Sequence, residues 1–129
     1  MGHRQIEVLF TPGHISGSTT FFDKERHYGF SGDAFGSTNL LLFGGTFKEL
    51  IATTIRTAEY MQKHGIEKLY PGHYQNNLEM LQRILDEKKM SEEVLSGKRK
   101  GEEDSIFGLN RYIYDYGVYI RYNVPDALQ

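Results

Sequence analysis

Two histidines and one aspartate in the sequence share a setting in which side chains often do chemistry: His14 after Pro12-Gly13, Asp33 after Gly32, and His73 after Pro71-Gly72. Each follows a run typical of a β-strand, and loops at strand ends commonly carry active sites. Two imidazoles and one carboxylate form a catalytic zinc ligand set with one position left open. Pro-Gly and Gly-Asp are also ordinary turn pairs. From the residues alone, both interpretations stay open.

Short β-strands are predicted around these three residues, at Ile6–Phe10, Thr19–Phe22, His27–Ser31 and Glu67–Tyr70. They are rich in β-branched and aromatic residues and are bounded by glycine, proline or charged clusters. The polar Asp23–Arg26 segment between the second and third runs predicts a hairpin with a four-residue connection.

Two amphipathic helices are predicted from capping patterns and apolar spacing. Thr46 and Glu49 form a capping-box pattern, and Gly65 supplies the residue that ends the first helix. Asn76 and Glu79 form a second capping pattern, ahead of a helix that runs to about Lys89. A further short helical piece is predicted at Ser91–Leu95, ended by Gly97.

The C-terminal part is predicted to form a loop followed by a hairpin. Lys98–Asp104 is charged and has no apolar member, which is typical of a solvated loop. Tyr112, Tyr114 and Tyr116 alternate with other residues ahead of Val118–Tyr122, a pattern that favours a terminal hairpin whose tyrosines pack on a sheet. The leucines of Asn39–Phe43 are assigned to the core rather than to a pocket.

Composition favours a soluble globular protein. The 129 residues predict a single domain, 1–129, with 25% charged residues and a formal net charge of −2. No basic stripe suits nucleic acid, and no apolar run or secretory signal suits a membrane, so a cytoplasmic location is expected. Because the chain has no cysteine, a metal would be held by histidine, carboxylate or backbone oxygen.

The order of these motifs resembles the C-terminal half of the metallo-β-lactamase superfamily. The resemblance rests on Thr11–Ser18, a hairpin ending in Ser31-Gly32-Asp33, a helix, and Tyr70-Pro71-Gly72-His73. It implies an α/β (α+β) fold that is half of an αββα sandwich, with a mixed or antiparallel sheet and flanking helices.

By this resemblance, His14 would be the third histidine of the first metal site. Asp33 would be the catalytic carboxylate that bridges two zinc ions, and His73 the histidine of the second site. Such a site generates a metal-bound hydroxide near neutral pH and suits hydrolysis. The superfamily acts on lactams, esters, thioesters and phosphoesters, so the resemblance implies a small-molecule substrate but leaves its identity open.

The superfamily's His-x-His-x-Asp-His motif is not in the sequence, and His3, His27 and His64 stand in settings that favour structural roles. Two hypotheses follow. The chain is part of a zinc-dependent hydrolase and is inactive alone, or it is a non-catalytic half-domain that self-associates or complements another chain. In either case, the isolated chain is expected to bind a single zinc ion weakly through His14, Asp33 and His73.

A chain with only half of a sandwich would leave an apolar face uncovered, which predicts a homodimer or a complementing N-terminal half. Exchange of the tyrosine-rich hairpin between chains is the second possibility. The phenylalanines predicted to be partly buried at such an interface are Phe10, Phe21, Phe22 and Phe30.

Overall fold

The computed structural model describes residues 2–73 and 78–129. Within them the strands are β1 (Glu7–Phe10), β2 (Thr19–Asp23), β3 (Tyr28–Gly32), β4 (Asn39–Leu41), β5 (Lys68–Pro71), β6 (Glu79–Met80), β7 (Glu102–Ile106), β8 (Leu109–Asp115) and β9 (Val118–Tyr122). The helices are α1 (Phe47–Lys63), α2 (Leu81–Leu95) and a short 3₁₀ helix, Asp126–Leu128. The predicted α/β class is confirmed.

The strands form two mixed sheets. Sheet A has the order β1-β2-β3-β5-β6, and only its β3–β5 pair is parallel. Sheet B has the order β4-β9-β8-β7, and only its β4–β9 pair is parallel. The two predicted hairpins, β2–β3 and β8–β9, are both present as antiparallel pairs. The chain therefore leaves β3 in sheet A, crosses through the Asp33 loop (residues 33–38), and enters β4 in sheet B.

The two helices hold the sheets together through two apolar clusters. Phe47 and Leu50, early in α1, pack with the leucines of residues 40 and 42 and with Ile113 of sheet B. Met61, late in α1, packs with residues 22 and 69 of sheet A. In α2 the order is reversed, with Ile84 in the sheet A cluster and Met90 in the sheet B cluster. The helices are thus antiparallel, and Leu40 and Leu42 lie in the core as expected.

Helix α1 begins and ends where its local sequence predicts. Thr46 is the N-cap, and its side-chain oxygen accepts a hydrogen bond from the Glu49 N–H at 3.1 Å. His64 is the C-cap, and Gly65 follows with a φ of +64°. Glycine adopts this left-handed conformation without the Cβ clash that other residues meet.

The predicted start of the second helix is wrong. Asn76 lies outside the described residues, and Glu79 is not in a first helical turn but in the short strand β6, where its side chain is fully buried. Its carboxylate bonds to distant residues instead of capping the helix, as described below. The helix begins at Leu81 and continues without a break through Ser91–Leu95.

The interpretation of Lys98–Asp104 as a solvated loop is wrong in its last three residues. Glu102 and Glu103 belong to β7 and stand opposite Tyr112 and Arg111 of β8. Strand β7 is at the edge of sheet B, and charged residues are common on edge strands because they oppose pairing with other chains.

Sheet A has one face packed on the helices and one face exposed. Phe22 is fully buried on the helix side, so its predicted place at a chain interface is wrong. Alternate residues of a strand point to opposite faces, which puts Phe21 on the open side. The open side carries a row of exposed apolar side chains, named here the open face: Val8, Phe10, Phe21, Phe30, Tyr70 and Met80. No helix within the described residues is both long and apolar enough to span a lipid bilayer.

Candidate metal centre

His14 lies in the loop after β1, and a hydrogen bond at Nδ1 fixes the orientation of its ring. The Nδ1 atom is 2.6 Å from the Leu41 carbonyl oxygen, and the Phe43 N–H donates to the His14 carbonyl at 2.9 Å. A carbonyl can only accept, so Nδ1 carries the proton and neutral imidazole presents a free lone pair at Nε2. Metal-ligating histidines typically donate their other N–H in this manner.

The His14 loop is anchored to helix α1. The Thr53 hydroxyl, on α1, donates to the Pro12 carbonyl at 2.6 Å. Thr11 is fully buried, and its N–H donates to the Ser18 carbonyl at 2.9 Å. Gly45 lies so close that an added Cβ would overlap the Gly13 carbonyl oxygen. The position of the His14 imidazole therefore depends on how its loop, helix α1 and the segment at Gly45 pack together.

Asp33 and His73 come from loops that touch each other. The Gly72 N–H donates to the Gly32 carbonyl at 2.7 Å. A Cβ at Gly72 would lie 3.1 Å from Asp33 Oδ1 and 3.2 Å from the Gly32 carbonyl carbon, so a larger residue would require these neighbours to shift slightly. The parallel pairing of β3 with β5 explains the meeting, because the carboxyl ends of parallel neighbours lie at the same edge of a sheet.

The structure brings the three sequence-predicted residues together around the Asp33 carboxylate. His14 Nε2 lies 3.8 Å from Asp33 Oδ2, and His73 Nε2 lies 3.0 Å from Asp33 Oδ1. The side chains of His14, Asp33 and His73 are 16%, 39% and 75% exposed. Each imidazole thus faces a different carboxylate oxygen at the surface of the molecule.

The donor set has the right chemistry for zinc but does not enclose an ion. Ligand atoms on one tetrahedral zinc lie about 3.3 Å apart for bonds of about 2.0 to 2.1 Å, close to both observed separations. Over residues 2–73 and 78–129, however, no group of three or more histidine, aspartate or glutamate side chains is already arranged as a metal site in this structure. The zinc ligand assignment of His14, Asp33 and His73 therefore stays a prediction.

Two of the remaining histidines have structural contacts, which agrees with the roles expected for them. His27 Nδ1 is 3.1 Å from the His64 carbonyl oxygen. The His64 ring packs on Tyr60 with centroids 4.4 Å apart. These contacts join the β2–β3 turn to the end of α1, away from Asp33.

Sequence reasoning missed the residues that support the Asp33 loop. Glu79 accepts a hydrogen bond from the Ser31 hydroxyl and another from the Ser37 N–H, the latter at 2.8 Å. Burial is the main cause that raises the pKa of Glu79, and the two hydrogen bonds oppose it. The only local signal was a glutamate among apolar residues at the start of a helix, and that pattern matched a cap.

The chain is similar to known proteins over part of their length. It is 34% identical over 76 residues to acyl-coenzyme A thioesterase MBLAC2 of Bos taurus and of Homo sapiens, and 30% identical to that of Gallus gallus. These matches cover 57% of this chain and 27% of each relative. No family model matches the chain.

A solved structure shows the same partial correspondence. The metallo-β-lactamase family protein TTHA1429 from Thermus thermophilus aligns with a TM-score of 0.56 and 26% sequence identity, over 73% of this chain and 32% of that one. Fold and motif order together define a partial metallo-β-lactamase-type domain. The chain resembles metallo-β-lactamase superfamily proteins in sequence and in fold, and it spans about a quarter to a third of the length of the relatives it matches.

Proposed function

We propose that this chain supplies part of the active site of a zinc-dependent hydrolase of the metallo-β-lactamase superfamily. The observation that carries the proposal is the position of Asp33, with one imidazole at each carboxylate oxygen. Asp33 would hold zinc together with His14 through one oxygen and with His73 through the other, which is the bridging role proposed for it. The remaining ligands would come from the His-x-His-x-Asp-His segment, which the sequence lacks.

The residues of the chain have separate tasks in this proposal. Asp33 and the two Nε2 atoms would hold zinc, while the Leu41 carbonyl fixes the tautomer and direction of His14. Zinc in such a site supplies a hydroxide nucleophile near neutral pH and polarises the scissile carbonyl. Of the substrates possible in the superfamily, we favour a thioester, because the curated relatives are acyl-coenzyme A thioesterases.

Calorimetric titration of the chain with zinc tests the ligand assignment. We expect weak binding of zinc by the unmodified chain and its loss in the triple variant His14→Ala, Asp33→Ala, His73→Ala. The matched control is His3→Ala, which removes an exposed histidine that precedes β1 and should bind zinc as the parent does. Undiminished binding by the triple variant would refute the assignment.

Activity can be tested where a longer reading frame encodes the missing motif. In that protein, Asp33→Ala should lower the hydrolysis of an acyl-coenzyme A by at least about 100-fold, because loss of an outer-shell partner alone costs about 10-fold to 100-fold. Circular dichroism should show an intact fold. Activity near the parent level would contradict the bridging role.

A second candidate function is a non-catalytic half-domain that self-associates or complements another chain. The observation that favours it is the open face of sheet A, where Phe10 and Phe30 are 69% and 50% exposed. Large contiguous apolar surfaces are rare on monomers and mark interaction sites. We propose a homodimer first and a complementing N-terminal half second. A cytoplasmic location also belongs to the proposal and rests on the sequence alone.

A further inference from the structure

Glu79 is a fully buried carboxylate that bonds to residues far away in sequence. Its Oε2 accepts from the Ser31 hydroxyl and its Oε1 accepts from the Ser37 N–H at 2.8 Å, across separations of 48 and 42 residues. Ser31 and Ser37 are themselves 1% and 3% exposed. Within residues 2–73 and 78–129, the hydrogen bonds of this carboxylate therefore go to two buried residues.

Those two partners stand on either side of Asp33. Ser31 lies two residues before it, near the end of β3, and Ser37 closes the loop ahead of β4. Between them Ala34 and Phe35 are fully buried, whereas the Asp33 side chain is partly exposed. Glu79 thus holds the loop at both ends and leaves the carboxylate of Asp33 facing outward.

The Asp33 loop needs such support because its backbone is unusual. Gly32, Gly36 and Ser37 have φ values of +55°, +70° and +54°. Serine has a steric cost in this left-handed region that glycine does not, and such residues persist only when their surroundings hold them. The bond from the Ser37 N–H to Glu79 is a contact of that kind.

We propose that Glu79 is a positioning residue that fixes the Asp33 loop, and through it the direction of the Asp33 carboxylate. The inference rests on the proposed function, in which Asp33 binds zinc. It assigns to the start of the β6–α2 segment a role in the site, although the hydrogen bonds of Glu79 go to Ser31 and Ser37 and not to either imidazole. Outer-shell partners of this type tune metal affinity by orienting the ligands.

Amide hydrogen exchange and zinc calorimetry on the full chain test the inference together. In Glu79→Ala the Ser37 N–H loses its acceptor, so its exchange should become about 10-fold to 100-fold faster. Zinc affinity should fall by about 10-fold to 100-fold. Glu79→Gln keeps an acceptor for Ser37 and a polar group for Ser31, so it should restore protection and affinity to near the parent values.

Glu87→Gln is the matched control. Glu87 is also fully buried and lies two turns further along the same segment, but it has no hydrogen bond to the Asp33 loop. This variant should leave both the Ser37 exchange and the zinc affinity unchanged. If Glu79→Ala does not fold, Ser31→Ala removes the other hydrogen bond with a smaller change and should weaken zinc binding while Ser37 stays protected.

The outcomes separate this inference from the proposed function. Unchanged Ser37 exchange in folded Glu79→Ala would overturn the positioning role, as would unchanged zinc affinity in both Glu79→Ala and Ser31→Ala. Zinc binding that survives Asp33→Ala would overturn the proposed function instead. Faster Ser37 exchange in Glu79→Ala would then still show that Glu79 holds the loop.

Discussion

Glu87 is a buried acid whose charge has little compensation. The side chain, on α2, is fully buried, and neither carboxylate oxygen has a hydrogen-bond partner within the described residues. Burial raises its pKa well above 4.5, Glu79 adds to this effect, and Arg83 opposes it. Leaving such a group unpaired is costly when it is charged.

Replacing Glu87 with methionine should stabilise the chain at neutral pH. Since the folded-state pKa lies above the unfolded value near 4.5, the parent loses stability as pH rises from that value through the raised pKa. The variant lacks this loss, and comparable replacements gain about 1 to 4 kcal/mol. Thermal unfolding at about pH 7.5 and about pH 4 measures the effect, and the gain should be larger at the higher pH.

The control for this measurement is Glu59→Met, an exposed position on α1. It removes the same carboxyl group from a position where the charge is not buried. Its effect on the free energy of unfolding should therefore be small and equal at both pH values. A gain from Glu87→Met that does not depend on pH would mean that packing, and not ionisation, explains it.

At the scale of elements, the contact between the His14 loop and the start of α1 should tolerate no added atoms. In Gly45→Ala the new methyl would overlap the Gly13 carbonyl oxygen, so one loop must move away from the other. Forcing extra atoms into packed regions costs about 1 to 3 kcal/mol. Chemical denaturation should show this loss, and zinc titration should show weaker binding, because His14 moves with Gly13.

Gly17→Ala is the matched control for that prediction. It lies in the same loop, and an added Cβ would meet nothing within 4 Å. Its free energy of unfolding and its zinc affinity should equal those of the parent. Equal stability of the two variants would show that the loops can separate without cost.

Elements with local signals were predictable from the sequence, and contacts between distant segments were not. Thr46, Glu49 and Gly65 act within one helix, so their spacing is sufficient to place α1. Glu79 has a similar spacing, but its hydrogen-bond partners are 48 and 42 residues away. The setting of His14 and Asp33 at strand ends was visible, whereas the approach of Asp33 to the His73 loop depends on the pairing of β3 with β5.

At the scale of the whole molecule, the open face should control association. Val8 stands opposite Phe21, Phe21 opposite Phe30, and Phe30 opposite Tyr70, so the exposed side chains form one continuous row. Apolar burial is worth roughly 25 cal/mol per Å², which favours covering this row with a second chain. Sedimentation should show a dimer at micromolar concentration, and Phe10→Ser with Phe30→Ser should shift it to a monomer.

Phe107→Ser provides the comparison for the dimer prediction. Phe107 is 68% exposed, but it lies in the turn between β7 and β8 of sheet B, away from the open face. Its replacement should leave the dimer intact. A parent chain that sediments as a compact monomer would instead mean that the exposed row does not drive association.

The pairing of β4 with β9 sets a limit on when the site can form. Residues 39–41 pair in parallel with residues 119–121, and Leu41 in this strand supplies the carbonyl that holds the His14 ring. During synthesis, β4 therefore cannot pair until β9 has also been made. Contacts so far apart in sequence slow folding, because the intervening loop must close first. The direction of the His14 imidazole is thus fixed only after residues 119–121 have been made and can pair with β4.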